Sequence, residues 1–261
     1  MSAAGGPWTR EDDGPLAVLT LSAPPLNLFD QAVIDGLREA VAALAAAPPR
    51  GLLIRAEGRV VSGGVDVHLF DGLSVEDAGR LWTDLLRLIH RVEELPCPTI
   101  FAAHALCLTA AFELSLACDL LLAAEPARFG LVETVVGLTP AMGGTQRLAE
   151  RAGPARAREL VMTGDLYDAA TLERWNVVTR VLPAEGFDAA ARAFARRLAA
   201  GPTLAHAATK RIVRAQVEGG VRAADAIVPE VAGGLFGTED LKGAVRSFLE
   251  QGPGKATYEG R

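Results

Sequence analysis

The sequence lacks a basic excess, a cysteine framework and an uninterrupted apolar run. Its 26 lysines and arginines stand against 32 aspartates and glutamates, a formal net charge of −6, so no basic face is offered to nucleic acid. Three cysteines, Cys97, Cys107 and Cys118, are too few and too oddly spaced for a disulfide framework or a zinc site. They read as small buried thiols in a reducing compartment, and the cytoplasm is the expected location. The N-terminus has no basic region followed by an apolar one, so no signal peptide is expected. The most apolar stretch, residues 99–122, is interrupted by His104, Glu113 and Asp119, which argues against a membrane span.

What remains is an ordinary globular composition, 50% apolar and 22% charged over 261 residues, enough for one large domain or two modest ones. The apolar stretch organises the chain. It reads as a buried strand to about Ala103, a turn, and a short buried helix carrying Glu113. A carboxylate in such surroundings must be paired, protonated or used.

Residues 1–14 are small, polar and charged, and are expected to be loosely ordered. Strands are expected at 16–21 and 51–55, flanking a helix over 28–46 with Asp30 as an early cap; this spacing suggests a right-handed crossover and a parallel pair. A glycine-bearing loop, 56–66, precedes a long amphipathic helix over 74–95 capped by Ser74. Further on, the pattern predicts a short strand after Leu122, a helix opening at 143–147 and running to about Ala152, and a helix over 154–162. It also predicts a helix over 169–175 closed by Asn176 and a strand over 177–182. From Phe187 onward it is helical throughout, at 187–199, 203–218, 221–232 and 238–250, and a composition shift near Pro202 marks a C-terminal helical subdomain.

Two turns carry chemical potential. Ser62-Gly-Gly-Val-Asp66 follows a strand-like segment, and its small residues leave backbone N–H groups free for close approach. Leu108-Thr-Ala-Ala-Phe112 opens the helix of Glu113, where the first N–H groups have no intrahelical partner. Two such loops at one point would bind a carbonyl oxygen that becomes an oxyanion. Glu113 and Glu133 both lie in apolar settings and are natural general acid/base partners; the alternative is that each bonds a backbone donor or an arginine such as Arg147. Glu76, Glu93, Glu94, Glu159 and Glu173 read as solvated. His104 is expected to bond backbone groups, Asp119 to cap or turn the backbone, and Gln146 and Arg147 to be structural.

Together these motifs resemble the enoyl-CoA hydratase/isomerase (crotonase) family over about residues 16–251. Gly58-Arg-Val-Val-Ser-Gly-Gly-Val-Asp66 is similar to the family's Gly-Arg-x-Phe-Ser-x-Gly-x-Asp, and 103–119 is similar to Asn-Gly-x-x-x-Gly-Gly-Gly-x-Glu-Leu-x-x-x-Cys-Asp. Phe129-Gly-Leu-Val-Glu133 continues into a distinctive Gly137-Leu-Thr-Pro-Ala-Met-Gly-Gly-Thr-Gln-Arg-Leu148, and Phe236-Gly-Thr-Glu-Asp240 with Phe248 forms the last block.

The resemblance implies an α/β fold, a spiral of ββα units over 1–200, with a helical region over 201–261 that builds a homotrimer, often a dimer of trimers. It implies an acyl-CoA thioester as ligand, no metal and no cofactor beyond the substrate's own coenzyme A. The oxyanion-hole amides would be those of Val65 and Ala110, with Ser62, Gly64, Asp66 and Thr109 around the bound thioester. Glu113 and Glu133 fall on the two catalytic glutamates of the hydratases, the first activating water and the second protonating C2. Two alternatives share the fold: an isomerase using Glu133 as sole base, and an inactive acyl-CoA-binding protein. Thr109, Ala110 and Ala111 replace the usual glycines, and their methyl groups narrow the floor of the site.

Overall fold

The computed structural model describes residues 6–261. Its first element is a strand, β1 (Trp8–Asp13), where a loose segment was expected; residues 1–5 lie outside the described residues. β1 pairs antiparallel with β2 (Leu16–Leu21) from Trp8↔Leu21 to Asp13↔Leu16. Its charges mislead because it is an edge strand, on which charged side chains are tolerated and even useful. Glu11 and Asp13 pair with Arg192 and Arg196. Trp8 anchors it, donating Nε1–H to the Val33 carbonyl at 2.9 Å and meeting Phe29 edge-on.

Helix α1 (Gln31–Ala46) is capped by Asp30, whose carboxylate accepts the Val33 N–H, and leads into β3 (Gly51–Ala56), parallel to β2. Helix α2 (Val75–Glu93) starts at its Ser74 cap and ends before β4 (Thr99–Ala103). The next strands alternate between two sheets. β5 (Cys107–Leu108) runs directly into α3 (Thr109–Ala117), and β6 (Leu120–Ala124) returns to the large sheet three residues earlier than a strand after Leu122 would. β7 (Arg128–Gly130) pairs with β5, and after α4 (Gly144–Ala152) and α5 (Pro154–Thr163) comes β8 (Tyr167–Asp168), which pairs with β7.

Helix α6 (Ala169–Arg174) leads to β9 (Arg180–Leu182), shorter than the apolar run over 177–182 because the Val177 and Val178 N–H groups are used by the Leu172 carbonyl. Asn176 has φ of 63°, as the helix end requires. The large sheet has the order β1-β2-β3-β4-β6-β9 and is parallel from β2 onward; the small one is β5-β7-β8.

A parallel sheet covered on both faces reads as continuous apolar strands, and these do. Leu16, Val18, Leu53, Ile100, Ala102 and Leu122 face helix α7 (Phe187–Ala199). Their neighbours Ala17, Leu19, Leu52, Ile54, Phe101 and Leu121 face α1, α2 and α3. All nine residues of α3 are buried, which is why its sequence shows no amphipathic period. Arg151 reaches back to satisfy the Leu116 and Cys118 carbonyls at its end. Asp119 then accepts the Thr99 N–H and hydroxyl and pairs with Lys210 at 2.8 Å, tying the C-terminal region to β4.

The two helices expected over 203–232 are one, α8 (Thr203–Gly234), broken at Gly220 with φ 77° and ψ 179°. The last helix, α9 (Glu239–Gln251), is locked by Asp240, which accepts the Glu259 and Gly260 N–H groups. Among the described residues no helix is long and apolar enough to cross a membrane. Trp8→Ala is expected to cost about 2 kcal/mol of stability in equilibrium denaturation, since a half-buried indole and its hydrogen bond are lost together.

Candidate active site

The first turn is built from behind by Asn27, which the sequence reading missed. This residue is 2% exposed and has φ of 50°. Its amide donates to the carbonyls of Glu57, Val60 and Val61, and its Oδ1 accepts the Ala23 N–H. An asparagine tolerates the left-handed region and carries donors and an acceptor at once. No local motif marks it.

Ser62 is fully buried, and its hydroxyl donates to the Asn27 carbonyl at 2.7 Å and accepts the Gly64 N–H at 3.0 Å. Its side chain is therefore spent on shaping the loop. Asp66 caps a 3-10 turn over Val67–Phe70, accepting the His68 N–H and contacting its ring at 2.6 Å; these bonds hold its carboxyl below the usual range.

The second turn runs beside the first. Ser62 bridges Cys107 in parallel, and the Leu108 N–H donates to the Ser62 carbonyl at 3.2 Å. A Cβ on Gly64, at φ 110°, would lie 2.7 Å from Thr109 Oγ1, so the turns touch at that pair. Val65 and Ala110 each follow one member of it. The Gly64 carbonyl and the Asp66 N–H both bond to Phe29, and the Val65 N–H between them has no hydrogen-bond partner among the described residues. Ala110 is the second residue of α3, where no preceding turn supplies an acceptor. Thr109 has φ of 45°, which a β-branched residue rarely adopts, and its buried hydroxyl is unpartnered among the described residues.

Glu113 follows one turn later on α3, 2% exposed. Its Oε2 accepts the Gly144 N–H at 2.7 Å, at the start of α4, where the helix dipole favours negative charge. A backbone donor, not Arg147, is its partner. Any side chain at Gly144 would press on it, since a Cβ there would meet Glu113 Cγ at 2.7 Å. Burial and the nearby Glu133 charge push the Glu113 carboxyl up to about 8, against the opposing pull of the Gly144 and Met142 N–H groups and Arg147.

Glu133 opens the 3-10 turn Glu133–Val136 and is 9% exposed. Its Oε2 is buried without a partner among the described residues, and burial pushes its carboxyl up to about 7. Two acids in electrostatic contact, both poised near neutral pH, can hold one proton between them and so offer a base and an acid together.

Arg147 and Glu93 correct the expectation of a solvated Glu93. The guanidinium is buried and grips both carboxylate oxygens of Glu93, at 2.7 and 2.6 Å. Glu173 is exposed, as expected, and also accepts the Val181 N–H at 2.9 Å. His104 bonds the Gly58 carbonyl at 3.0 Å, as expected of a strand-end histidine.

The chain and its fold have known relatives. The family model for enoyl-CoA hydratase/isomerase matches residues 11–261. The chain belongs to the enoyl-CoA hydratase/isomerase family. A crotonyl-CoA hydratase of Syntrophomonas wolfei is 30% identical over 92% of this chain and 94% of its own length. A mitochondrial enoyl-CoA hydratase of Pongo abelii is 26% identical over 93% of this chain and 83% of its own.

Among solved structures, an enoyl-CoA hydratase from Bacillus anthracis superposes with a TM-score of 0.90 at 25% identity, covering 98% of this chain and 100% of that one. One from Geobacillus kaustophilus reaches a TM-score of 0.94 at 22% identity over 100% and 99%, a likeness of fold. The α/β spiral with its C-terminal helical region is thus the crotonase fold.

Two measurements probe the geometry. Gly64→Ala is expected to cost about 2–4 kcal/mol from backbone strain and the collision with Thr109. In a Thr109→Gly background part of that cost disappears, and a double-mutant cycle reads a coupling of about 1–2 kcal/mol between the turns. Both acids are raised in the folded state, so their contribution to stability is present below 4.5 and is lost as pH rises through 7 and 8. Glu133→Gln is therefore expected to lose less stability than the parent between about pH 5 and 9 in pH-resolved denaturation.

Proposed function

We propose that the protein is an enoyl-CoA hydratase, adding water across the 2,3-double bond of a 2-enoyl-CoA thioester. The observation that carries this is the buried acid pair, Glu113 and Glu133, each with its carboxyl raised toward neutrality and one feeling the other's charge, beside two touching turns. The 30% identity to a crotonyl-CoA hydratase supports the same class.

The thioester oxygen would lie between the Val65 and Ala110 amides, whose hydrogen bonds strengthen as the enolate forms. Glu113, ionised and oriented by the Gly144 N–H, would take a proton from the water attacking C3. Glu133 would deliver a proton to C2 from the form of the singly protonated pair that carries the proton on Glu133, the less populated of the two with Glu133 near 7 and Glu113 near 8. One water O–H bond, the Glu133 O–H bond and the C2–C3 π bond break; C3–O, C2–H and Glu113 O–H bonds form; and the proton on Glu113 then passes to Glu133 to restore the pair. The reaction as written needs no redox partner; coenzyme A arrives with the substrate. Ser62, Gly64, Asp66 and Thr109 would shape the loops around the thioester.

The exposed apolar side chains Phe236, Phe248 and Leu249 on the C-terminal helices supply a surface for a homotrimer, which a dimer of trimers would double. Residues 201–261 would then act as an assembly subdomain on a core formed by 1–200. Three buried free thiols suit a reducing cytoplasm.

One observation favours a second reading. Glu113 Oε2 is occupied by Gly144, whereas Glu133 Oε2 has no partner among the described residues, as a sole base of an isomerase would. Crotonoyl-CoA separates the two, since only hydration yields a 3-hydroxyacyl product from it. Glu113→Gln and Glu133→Gln are each expected to lower kcat about 10²–10⁴-fold. If crotonoyl-CoA is not hydrated while a 3-enoyl-CoA is isomerised, and that turnover survives Glu113→Gln, the isomerase reading replaces the first. If neither substitution affects turnover, the acid/base roles are wrong.

The rate depends on the singly protonated pair, so kcat/KM is expected to be bell-shaped in pH with limbs near 7 and 8. Below the lower limb no base remains, and above the upper limb no acid.

A further inference from the structure

We infer that the Glu93–Arg147 ion pair is a positioning device: it holds the Gly143–Gly144 turn so that the Gly144 amide stays on Glu113 Oε2, and thereby sets the charge state in which Glu113 meets substrate. The inference rests on Glu113 being the site's base.

Three observations carry it. The first is placement. Glu93 is the last residue of α2 and Arg147 lies in the first turn of α4. Each therefore sits at the helix end whose dipole opposes its charge. Local helix stability does not explain either residue, so the pair has its reason in tertiary structure.

The second is the fork. Nε and Nη2 of Arg147 engage the two Glu93 oxygens, which leaves Nη1 to donate to the Gly143 carbonyl at 3.2 Å. The guanidinium is clamped at one side and grips the turn with the other. Gly143 has φ of 99°, and a Cβ there would come 2.0 Å from Nη1, so the guanidinium occupies the space a side chain would fill. The α4 N-terminus has no side-chain cap, and the guanidinium instead holds the turn through the carbonyl of its N-cap residue, Gly143.

The third is the next residue. Gly144 donates to Glu113 Oε2 at 2.7 Å. The charged or donor groups acting on Glu113 are Glu133 from its 3-10 turn, the Met142 and Gly144 N–H groups from the loop into α4, and Arg147 from α4 itself. Only Glu133 and burial favour the protonated form. Removing Arg147 withdraws a positive charge and loosens a hydrogen bond, and both changes act in one direction.

The experiment uses protein labelled with 13C at the glutamate side-chain carboxyl, with the Glu113 resonance assigned by its loss in Glu113→Gln. In Arg147→Met the Glu113 titration is expected to move up by about one pH unit or more. The upper limb of kcat/KM for crotonoyl-CoA, the one near 8, should follow, with kcat at neutral pH down about tenfold and KM little changed. Arg147→Lys keeps a point charge without the fork, so a smaller shift in the same direction is expected; it also serves if Arg147→Met does not fold. A Glu113 titration at the parent value in the folded variants overturns the inference. If the parent does not hydrate crotonoyl-CoA, the proposed function fails by itself, and the carboxyl titration still decides whether the ion pair governs Glu113.

Discussion

A single hydrogen bond, from the Gly144 amide to Glu113 Oε2, is the contact on which the site depends. Helix α3 is buried along its whole length, and a carboxylate inside it loses its water. Without a donor the charged form would be prohibitively costly there. With one backbone N–H at a helix start, it becomes available close to neutral pH. The bond also fixes where the carboxylate points, because Gly144 leaves no room for a side chain between α4 and α3. Burial alone would make Glu113 a neutral core residue; burial with one well-placed amide makes it a group that can change its protonation during a reaction.

The turns on the other side follow the same logic with different means. Asn27 and Ser62 use every available polar atom to hold the first loop, so that its exposed feature is backbone. The second turn is less comfortable. Thr109 adopts a left-handed conformation and buries an unpartnered hydroxyl, two local costs of order 1 kcal/mol or more each. A glycine would avoid both. The strain is concentrated where Gly64 and Thr109 meet, next to the two amides assigned to substrate, and the surrounding sheets over-determine it.

Those sheets explain the rigidity. Parallel strands buried on both faces leave β2, β3 and β4 no alternative register, because a one-residue slip would exchange the α7 face for the α1–α3 face. Alternation of strands between the large and small sheets then brings the ends of β5 and β7 together, and with them the starts of α3 and of the Glu133 turn.

Much of this was legible in the residues. Continuous apolar strands, the caps Asp30 and Ser74, the helix end at Asn176 and the isolated Glu113 in an apolar run are all local signals, and local signals survive in a linear string. So were the two turns and the two acids, because small residues and carboxylates in apolar settings stand out by type. What tertiary structure decided has no local signature. β1 exists because Trp8 finds Phe29 and the Val33 carbonyl, contacts its charged sequence does not advertise. Asn27 and the Glu93–Arg147 pair act across 30 residues or more of chain, and Glu93 looks solvated until Arg147 closes on it. Residue type and spacing determined which groups could do chemistry; only the packing of α2, α3 and α4 around one glycine decided which acid is held and by what.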